Sequence, residues 1–596
     1  MPLKEADLDK AYQARRDTII AYYAERTPPG DFTQGGYFDI AANLYRGERL
    51  EWAIARLDTL MQAPTGDMFW MYPFTTVMYV GRDLLPDSTK RKMRDLWRTY
   101  RPYRGDTENH WLLYYATLYL AAQMYPDEPG ETWFTGKSSA ENAHEAEEYI
   151  DSWIDLTTTI GQGEYDSPHY LKVYLAPMAL LYAYADDPAM RQRAAMMLDY
   201  LLADFATELL DGFYAGGAYS RLYEREVAAP WWRPAARMAW LAFGTTPFGR
   251  YSGEGFILAV SGYAPPPILH HIARDRAAPY VHREYKRTRH RFRYSDVKNA
   301  PVYKYLHMRP EYALGSSQGG LLQPIQQQTW GLTWTSDDAQ AARSVLFSLH
   351  PYSSTIELGM YLADLEEFLN EIVVRSKTEY DSPDKLTGGS PYEQVFQHED
   401  ALIALYDIKP GVKFPHINAF FSNDLEGITE DSTGWIFARG GDALIAYYPM
   451  APYRWEQKAD YWDEDVQHQR LVSPHLKNGA VVQVAPASAY GSFEAFQADV
   501  RALPLEVATE PVPSVRFTSL GGDVLEARYG ETPAVNGEAV DYTNWPLYDG
   551  PFLQAERGSR KLEIRYGPMR RLLDFTTLTV TEWVETPSLQ TSQNRP

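Results

Sequence analysis

Apolar residues recur at helical spacing through the first part of the chain, up to about residue 260. The clearest stretch runs from Asp187-Pro188, a typical helix start, to Gly212, a typical helix end. Within it, apolar side chains recur about one helical turn apart at Leu198, Leu201, Leu202, Phe205 and Leu209. Similar patterns around residues 5–25, 38–62, 107–125, 139–158 and 168–185 predict helical hairpins that stack side by side or close into a ring.

The pattern becomes strand-like after the proline-rich run GYAPPP at residues 262–267. Short β-rich runs such as ALIALYDI and GAVVQV then alternate with turns. We therefore predict a multidomain α and β fold with two parts. Residues 1–265 form an N-terminal (α/α) toroid, an incomplete barrel of helical hairpins, which is the catalytic domain. Residues 266–596 form a C-terminal antiparallel β-sandwich, with a small C-terminal sheet from about residue 500.

Composition and charge narrow the classes of partner. No apolar stretch reaches the roughly 18 to 20 residues that a membrane-spanning helix needs, so we expect no membrane partner. Aromatic residues make up 14% of the chain, and their flat faces suit stacking on sugar rings. A net charge of -22 argues against nucleic acid. A polyanionic carbohydrate would need a local basic site, and REYKRTRHRFR at residues 283–293 is a candidate, with a solvated basic strand as the alternative.

The absence of cysteine excludes disulfides, thiolate catalysis and Cys-ligated metals. The first residues lack the apolar segment of a signal peptide, so we expect a cytoplasmic protein or a periplasmic or secreted one that has been trimmed. The oligomeric state is left open.

Two segments place reactive side chains where a predicted helix begins. In residues 107–125, Thr107 is a plausible N-cap and Asn109 and His110 lie in the first turn; a capping or surface role is the alternative. In GEYDSPHYLKVY, residues 163–174, a tight loop leads into a helix that opens with His169 and Tyr170. Loops that enter helices at one face of a ring suit a site, because backbone N–H groups are free there. A capped loop with packing tyrosines is the alternative.

Together these segments resemble the helical-toroid polysaccharide lyases, the heparinase II/III-like and alginate lyase group. That group has an Asn-His pair, then a Glu-containing loop with Ser-Pro and a catalytic Tyr. Asn109 and His110 match the pair, Ser167-Pro168 matches the loop, and Tyr170 matches the tyrosine, 60 positions after His110 (170 minus 110). The group also places a β-sandwich after the toroid.

The resemblance implies β-elimination on a uronic-acid-containing polysaccharide or oligosaccharide. Asn109 and His110 would neutralise the substrate carboxylate, and Tyr170 would remove and return the proton. A second tyrosine or histidine usually comes from the β-domain, and residues 303–320 offer His307 and Tyr312. The residues expected to bind substrate are Glu164, His169, Tyr174, Arg221, Arg309 and Trp111.

No cofactor is required by this chemistry. A structural zinc or calcium site in the β-domain is a weaker possibility, because His398 and Asp400 would share a strand face and His416 lies on the next predicted strand. Ordinary polar strand residues are the alternative.

Two other functions stay open. A toroid-type glycoside hydrolase would use a pair of carboxylates, drawn from Glu164 and Asp166 with Asp106 or Glu108. A non-catalytic glycan-binding protein would keep the aromatic cleft without turnover.

Overall fold

The computed structural model describes residues 5–26, 35–64, 68–102, 104, 107–246, 251–288, 301–318, 326–338, 342–353 and 380–585. The helices are α1 (Glu5–Glu25), α2 (Gly35–Arg46), α3 (Leu50–Leu60), α4 (Met68–Val80), α5 (Asp87–Thr99), α6 (Glu108–Met124), α7 (Ser139–Ile160), α8 (Leu171–Tyr184), α9 (Pro188–Thr207), α10 (Glu224–Val227), α11 (Pro234–Phe243), α12 (Gly253–Val260), α13 (Pro267–Ile272) and α14 (Phe493–Ala502).

The strands come next, and all but the first two follow α13 in the chain. They are β1 (Leu209–Leu210), β2 (Phe213–Tyr214), β3 (Tyr280–Arg287), β4 (Pro301–Met308), β5 (Tyr312–Gln318), β6 (Trp330–Trp334), β7 (Val345–Leu349), β8 (Glu393–His398), β9 (Ala401–Asp407), β10 (Ile417–Phe421), β11 (Glu426–Glu430), β12 (Ile436–Gly440), β13 (Ala443–Pro449), β14 (Arg454–Ala459), β15 (Gln467–Ser473), β16 (Lys477–Pro486), β17 (Leu505–Ala508), β18 (Ser514–Thr518), β19 (Val524–Arg528), β20 (Ala534–Val535), β21 (Glu538–Ala539), β22 (Tyr548–Asp549), β23 (Leu553–Ala555), β24 (Lys561–Tyr566), β25 (Met569–Asp574) and β26 (Thr579–Val584).

The helices form the predicted toroid. Helices α2, α4, α6, α8 and α12 pack in sequence around the ring, and α1 contacts both α12 and α2. Helices α3, α7 and α9 lie outside α2, α6 and α8. The inner helices are almost entirely apolar on all sides, as expected for helices enclosed by an outer layer. None of the described helices is long and apolar enough to span a membrane.

Neighbouring inner helices run parallel. The Tyr79 hydroxyl donates to the Leu120 carbonyl at 2.8 Å near the C-terminal ends of α4 and α6. The rings of Phe69 and His110 lie 5.2 Å apart at the N-terminal ends of the same two helices. Because the helices are parallel, the N-terminal ends of α4 and α6 face the same end of the ring.

The β-part is the predicted antiparallel sandwich with an added layer. Within the described residues, one sheet has thirteen strands in the order β14-β15-β10-β7-β6-β5-β4-β3-β22-β23-β24-β25-β26, and a second has the order β11-β12-β13-β16-β9-β8. The second sheet packs on the first where β8 meets β5. A third sheet, β17 to β21, lies with α14 against the outer face of the second, where Phe437, Phe496 and Phe517 are buried together.

The C-terminal strands return to the large sheet. The small sheet predicted from about residue 500 covers β17 to β21, and the chain then re-enters through β22, which pairs with β3. Strand β3 also pairs with β4 and lies against the helical ring. The strands that meet the ring therefore come from both ends of the β-part.

Candidate active site

The predicted motifs lie at one end of the helical ring, where the inner helices begin. Helix α6 begins at Glu108, α8 begins directly after Tyr170, and α12 begins one residue before Glu254. Helix N-termini carry unpaired N–H groups and a partial positive charge, which favours anionic groups. At this end of the ring, protein carboxylates already accept from such groups, as Glu164 does from the backbone N–H of Asn109 at 3.0 Å.

Glu108 fixes the loop that enters α8. Its carboxylate accepts hydrogen bonds from the backbone N–H groups of Gly163, at 3.3 Å, and Glu164, at 2.6 Å. Trp153 Nε1 donates to it at 3.1 Å, and a guanidinium nitrogen of Arg287 at the end of β3 lies 2.5 Å from it. Glu108 is buried, so it joins helix, loop and β-part rather than facing solvent.

Asn109, Glu164, Tyr174 and Arg221 meet in one buried cluster. Glu164 Oε2 accepts from Asn109 Nδ2 at 2.6 Å and from the Tyr174 hydroxyl at 2.7 Å. A guanidinium nitrogen of Arg221 lies 3.4 Å from Glu164 Oε1. All four residues are buried, and Asn109 is 0% exposed. The structure therefore brings four predicted site residues together, and they lie in the protein interior, where they support the candidate site.

Tyr170 lies at the surface of this cluster with a partner that the sequence pattern did not indicate. Its hydroxyl is 3.0 Å from the hydroxyl of Tyr223. The guanidinium carbon of Arg225 lies 4.8 Å from the Tyr223 ring centroid. Tyr170 is half-buried. A phenol within hydrogen-bond distance of a second phenol, and near a cation, can exchange a proton.

His169 supports this pair of tyrosines. Its Nδ1 lies 2.6 Å from Glu226 Oε1, and its ring lies 4.3 Å from that of Tyr223. Burial lowers the pKa of His169, which the Glu226 carboxylate opposes. Tyr223 and Glu226 lie in the polar run SRLYEREV at residues 220–227, beside the Gly-rich AGGAYS, but this run does not indicate that they approach Tyr170 and His169.

His110, Lys172 and Trp111 have different surroundings. His110 is half-buried at the start of α6, against the ring of Phe69. Lys172 Nζ contacts Glu254 Oε1 at 3.0 Å, and this links the beginnings of α8 and α12. Trp111 is buried among aromatic rings, with the guanidinium carbon of Arg104 4.1 Å from its ring centroid.

His307, Arg309 and Tyr312 form a separate group around Asp400. His307 Nδ1 lies 2.8 Å from Asp400 Oδ1, the Tyr312 hydroxyl donates to the same oxygen, and Arg309 lies 3.8 Å from Oδ2. Burial, reinforced by Asp400, raises the pKa of Tyr312. The group lies where β4 and β5 meet the turn between β8 and β9.

This group faces away from the helical ring. Side chains alternate between the faces of a strand, and on β4 it is Lys304 that contacts Asp166 in the loop before α8. His307, three positions on, lies on the opposite face, towards the second sheet. The expectation that His307 and Tyr312 lie across the cleft from Tyr170 does not agree with this placement. Sequence periodicity indicates that neighbouring side chains of a strand alternate between its faces, but it does not indicate which face meets the ring.

The weaker metal candidates do not form a cluster. His398 Nε2 lies 3.2 Å from Asp523 Oδ2, whereas His416 Nε2 lies 2.7 Å from the Pro383 carbonyl oxygen. Asp400 contacts the His307 group. Among the described residues, the groups able to hold a metal include none of these three.

The described part of the predicted basic segment, residues 283–288, lies in and directly after strand β3 and pairs largely with other protein groups. Arg287 and Lys286 are buried in ion pairs, and Arg283 pairs with Asp549 on the neighbouring strand. Arg289, Arg291 and Arg293 lie outside the described residues, as does Asp106. Lys286 and Arg287 are therefore not available to a polyanion.

Another charged pocket among the described residues also does not suit a polyanion. Its volume is about 660 Å³, and its lining includes Arg439 and the carboxylates of Asp211, Asp337, Asp338, Asp424, Glu426 and Asp442. The excess of acidic groups would repel a uronic acid. The end of the ring near Tyr170 remains the better candidate.

No family model matches the chain, and no curated protein matches its sequence. The chondroitin AC lyase of Streptomyces coelicolor A3 is 13% identical at a TM-score of 0.41, over 96% of this chain and 89% of that one. A Paenibacillus xanthan lyase is 10% identical at 0.39, over 96% and 64%, and the heparan sulfate lyase HepC of Pedobacter heparinus is 8% identical at 0.34, over 87% and 80%. At these scores the likeness identifies neither the substrate nor the reaction of this chain. These three solved structures are lyases named for chondroitin, xanthan and heparan sulfate.

Proposed function

We propose that the protein is a polysaccharide lyase that cleaves a uronic-acid-containing polysaccharide or oligosaccharide by β-elimination. The observation that carries this proposal is the contact between the Tyr170 and Tyr223 hydroxyls, at 3.0 Å, beside the beginning of α8. This contact places two phenol groups side by side where the loop of residues 163–170 enters α8.

Tyr170 acts as the base and then as the acid. As a phenolate it takes the proton from the carbon next to the uronic carboxyl group, and the electrons of that C–H bond form a carbon–carbon double bond. The bond to the leaving oxygen breaks, and that oxygen receives the proton from Tyr170. The ordinary pKa of a phenol is about 10, so a phenolate at neutral pH requires stabilisation. The Tyr223 hydroxyl lies within hydrogen-bond distance of the Tyr170 hydroxyl, and the Arg225 guanidinium lies against the Tyr223 ring.

The substrate carboxylate must be neutralised before its neighbouring proton can leave. His110 is half-buried at the start of α6 and suits this role, together with the positive ends of α6 and α8. Asn109 contributes indirectly, because its amide nitrogen is engaged by Glu164 and Thr107. It holds the loop that carries Tyr170 in place.

The arrangement of carboxylates disfavours a glycoside hydrolase that uses the predicted acids. Glu108 is engaged by backbone N–H groups and Arg287, and Asp166 contacts Lys286 and Lys304. Glu164 is buried in the cluster with Asn109. An inverting or retaining pair needs carboxyl groups that face the glycosidic bond, and these face the protein.

The substitution Tyr170→Phe tests the proposal. It removes one hydroxyl from a half-buried ring, so we expect the rate of cleavage of an acidic polysaccharide to fall by about 10²-fold or more. Binding of the same polysaccharide, measured by isothermal titration calorimetry, should stay within about threefold of wild type, because the ring and the neutralising groups remain. Tyr45→Phe, at an exposed tyrosine on α2, is the matched control and should leave both values unchanged.

A Tyr170→Phe variant that cleaves at the wild-type rate would refute the assigned role. Wild-type protein that binds acidic polysaccharides but cleaves none of them would indicate a glycan-binding protein instead.

A further inference from the structure

A cluster of buried charges joins the helical ring to the β-part, on the far side of the loop that carries Tyr170. We call it the interface cluster. Its members are Asp166, Asp204, Glu208, His282, Glu284, Lys286 and Lys304. Each is 5% exposed or less. Asp204 comes from α9, and His282 and Glu284 come from β3, so the cluster spans both parts of the molecule.

Lys286 contacts only one oxygen of Asp204 and one oxygen of Glu284. Lys286 Nζ lies 2.6 Å from Asp204 Oδ2 and 2.8 Å from Glu284 Oε2. The other oxygens of these two carboxylates, Asp204 Oδ1 and Glu284 Oε1, are buried and have no hydrogen-bond partner among the described residues. A buried oxygen without a hydrogen-bond partner destabilises the folded protein, so these two oxygens indicate a binding site for a ligand.

His282 provides further evidence for a ligand at this position. It is 1% exposed, and neither ring nitrogen makes a hydrogen bond within the described part of the chain. Its Nε2 lies 2.8 Å from Glu284 Oε1, yet the two groups are not aligned as donor and acceptor. Two ligand atoms that lie close together without a hydrogen bond between them are typical of groups that share a metal ion. Asp204, His282 and Glu284 each offer a ligand atom, and these atoms lie within 4.8 Å of one another.

The cluster also holds more acidic than basic groups. Four carboxyl groups face two ammonium groups, and a divalent cation would reduce this excess. A second triad, Asp166, Glu208 and Glu284, offers no imidazole ligand, and Lys304 Nζ contacts two of its members, Asp166 and Glu208.

We propose that Asp204, His282 and Glu284 bind a divalent metal ion of the zinc type, which ties α9 to β3. One imidazole nitrogen and two carboxylate oxygens form a donor set that suits zinc and its first-row neighbours. Each carboxylate then bridges Lys286 and the metal through its two oxygens. The site is distinct from the residues proposed for β-elimination, and its role is to hold the two parts of the molecule together.

Metal analysis of the full chain tests this proposal. Protein stripped with a chelator and then dialysed against Zn²⁺ should retain about one zinc per chain by mass spectrometry, and its thermal midpoint should rise by several degrees on zinc loading. His282→Ala should abolish both effects. His398→Ala, at a partly exposed histidine paired with Asp523, is the matched control and should retain both.

Loading with Co²⁺ gives a measurement that does not depend on a variant that folds. Wild-type protein with Co²⁺ bound through an imidazole should show visible absorption bands, which excess Zn²⁺ removes. Wild-type protein that retains no zinc, or whose thermal midpoint ignores both chelator and zinc, would overturn the proposal. Since neither readout involves substrate, failure here would leave the lyase proposal untouched.

Discussion

At the scale of single residues, Glu108 determines the geometry of the candidate site without facing the substrate. Its carboxylate is buried between two backbone N–H groups, Trp153 and Arg287. Because Arg287 is also buried, removal of the negative charge would break a buried ion pair.

The substitution Glu108→Gln should therefore lower the free energy of unfolding by about 3 to 5 kcal/mol, measured by urea denaturation. Glu25→Gln removes the carboxylate of an exposed pair with Arg46 and should cost no more than about 1 kcal/mol. Equal losses of unfolding free energy in the two variants would show that the buried contacts of Glu108 contribute no more to stability than an exposed ion pair.

His350 makes stability depend on pH. Its Nδ1 lies 2.7 Å from the Ser390 hydroxyl and its Nε2 lies 2.9 Å from the Phe414 carbonyl. Burial lowers its pKa from 6.5 to about 4. Between these two values the unfolded chain binds a proton that the folded chain does not, so this residue reduces stability as the pH falls from about 6.5 to about 4.

We expect His350→Asn to lose less stability than wild type across that acidic range, by on the order of 3 kcal/mol in free energy of unfolding. Urea denaturation at a series of pH values measures the difference. His144→Asn, at an exposed histidine on α7, should keep the wild-type slope. A His350→Asn variant with the wild-type slope would contradict the assignment.

From sequence, residue-level prediction reaches features that are local in the chain. The position of Tyr170 directly before a helix could be predicted, because a Ser-Pro turn leads into α8. Tyr223 could not, because it is 53 positions away in the chain and its approach to Tyr170 depends on the path of the loop before α10. The buried state of Asn109 also depends on tertiary packing.

At the scale of elements, α9 illustrates what a sequence pattern predicts well. The helix spans Pro188–Thr207, and Asp187 is its N-cap, as the Asp-Pro start indicated. The C-terminal end is different, because Gly212 lies with φ 78° in the turn between β1 and β2 rather than next to the helix. Periodicity cannot separate a helix end from a short hairpin that follows it.

The substitution Asp187→Ala should reduce stability by about 1 kcal/mol. The Asp187 carboxylate accepts from the backbone N–H groups of Ala189 and Met190, at 3.0 and 3.1 Å, and the first turn of α9 has no other partner of this kind among its described contacts. Asp186→Ala changes the neighbouring residue, whose carboxylate is not the cap. Thermal denaturation of both variants measures the difference, and similar midpoints would refute a capping role.

The sheet order is the part of the fold that the sequence could not indicate. Short alternating runs predict strands and turns, and the strands lie where those runs occur. That β22 pairs with β3, and so returns the C-terminal segment to the helical ring, is a long-range pairing that no local pattern encodes. The same pairing holds Tyr548 next to Asp204, at 3.0 Å.

At the scale of the whole molecule, ion pairs join the helical part to the β-part. Arg287 joins β3 to Glu108 at the start of α6, and Arg571 of β25 joins Asp199 of α9. The first of these pairs lies at the end of the ring that carries the candidate site, because Glu108 also holds the loop that enters α8.

The formation of an unsaturated product by the wild-type protein tests the central claim most directly. Purified protein is incubated with alginate, glucuronan, ulvan, hyaluronan, heparan sulfate and pectic polysaccharides, and the products are followed by ultraviolet absorbance and by reducing-end assay. β-Elimination predicts that at least one substrate gives new reducing ends together with the absorbance of a double bond conjugated to a carboxylate. New reducing ends without that absorbance would contradict the account and indicate hydrolysis.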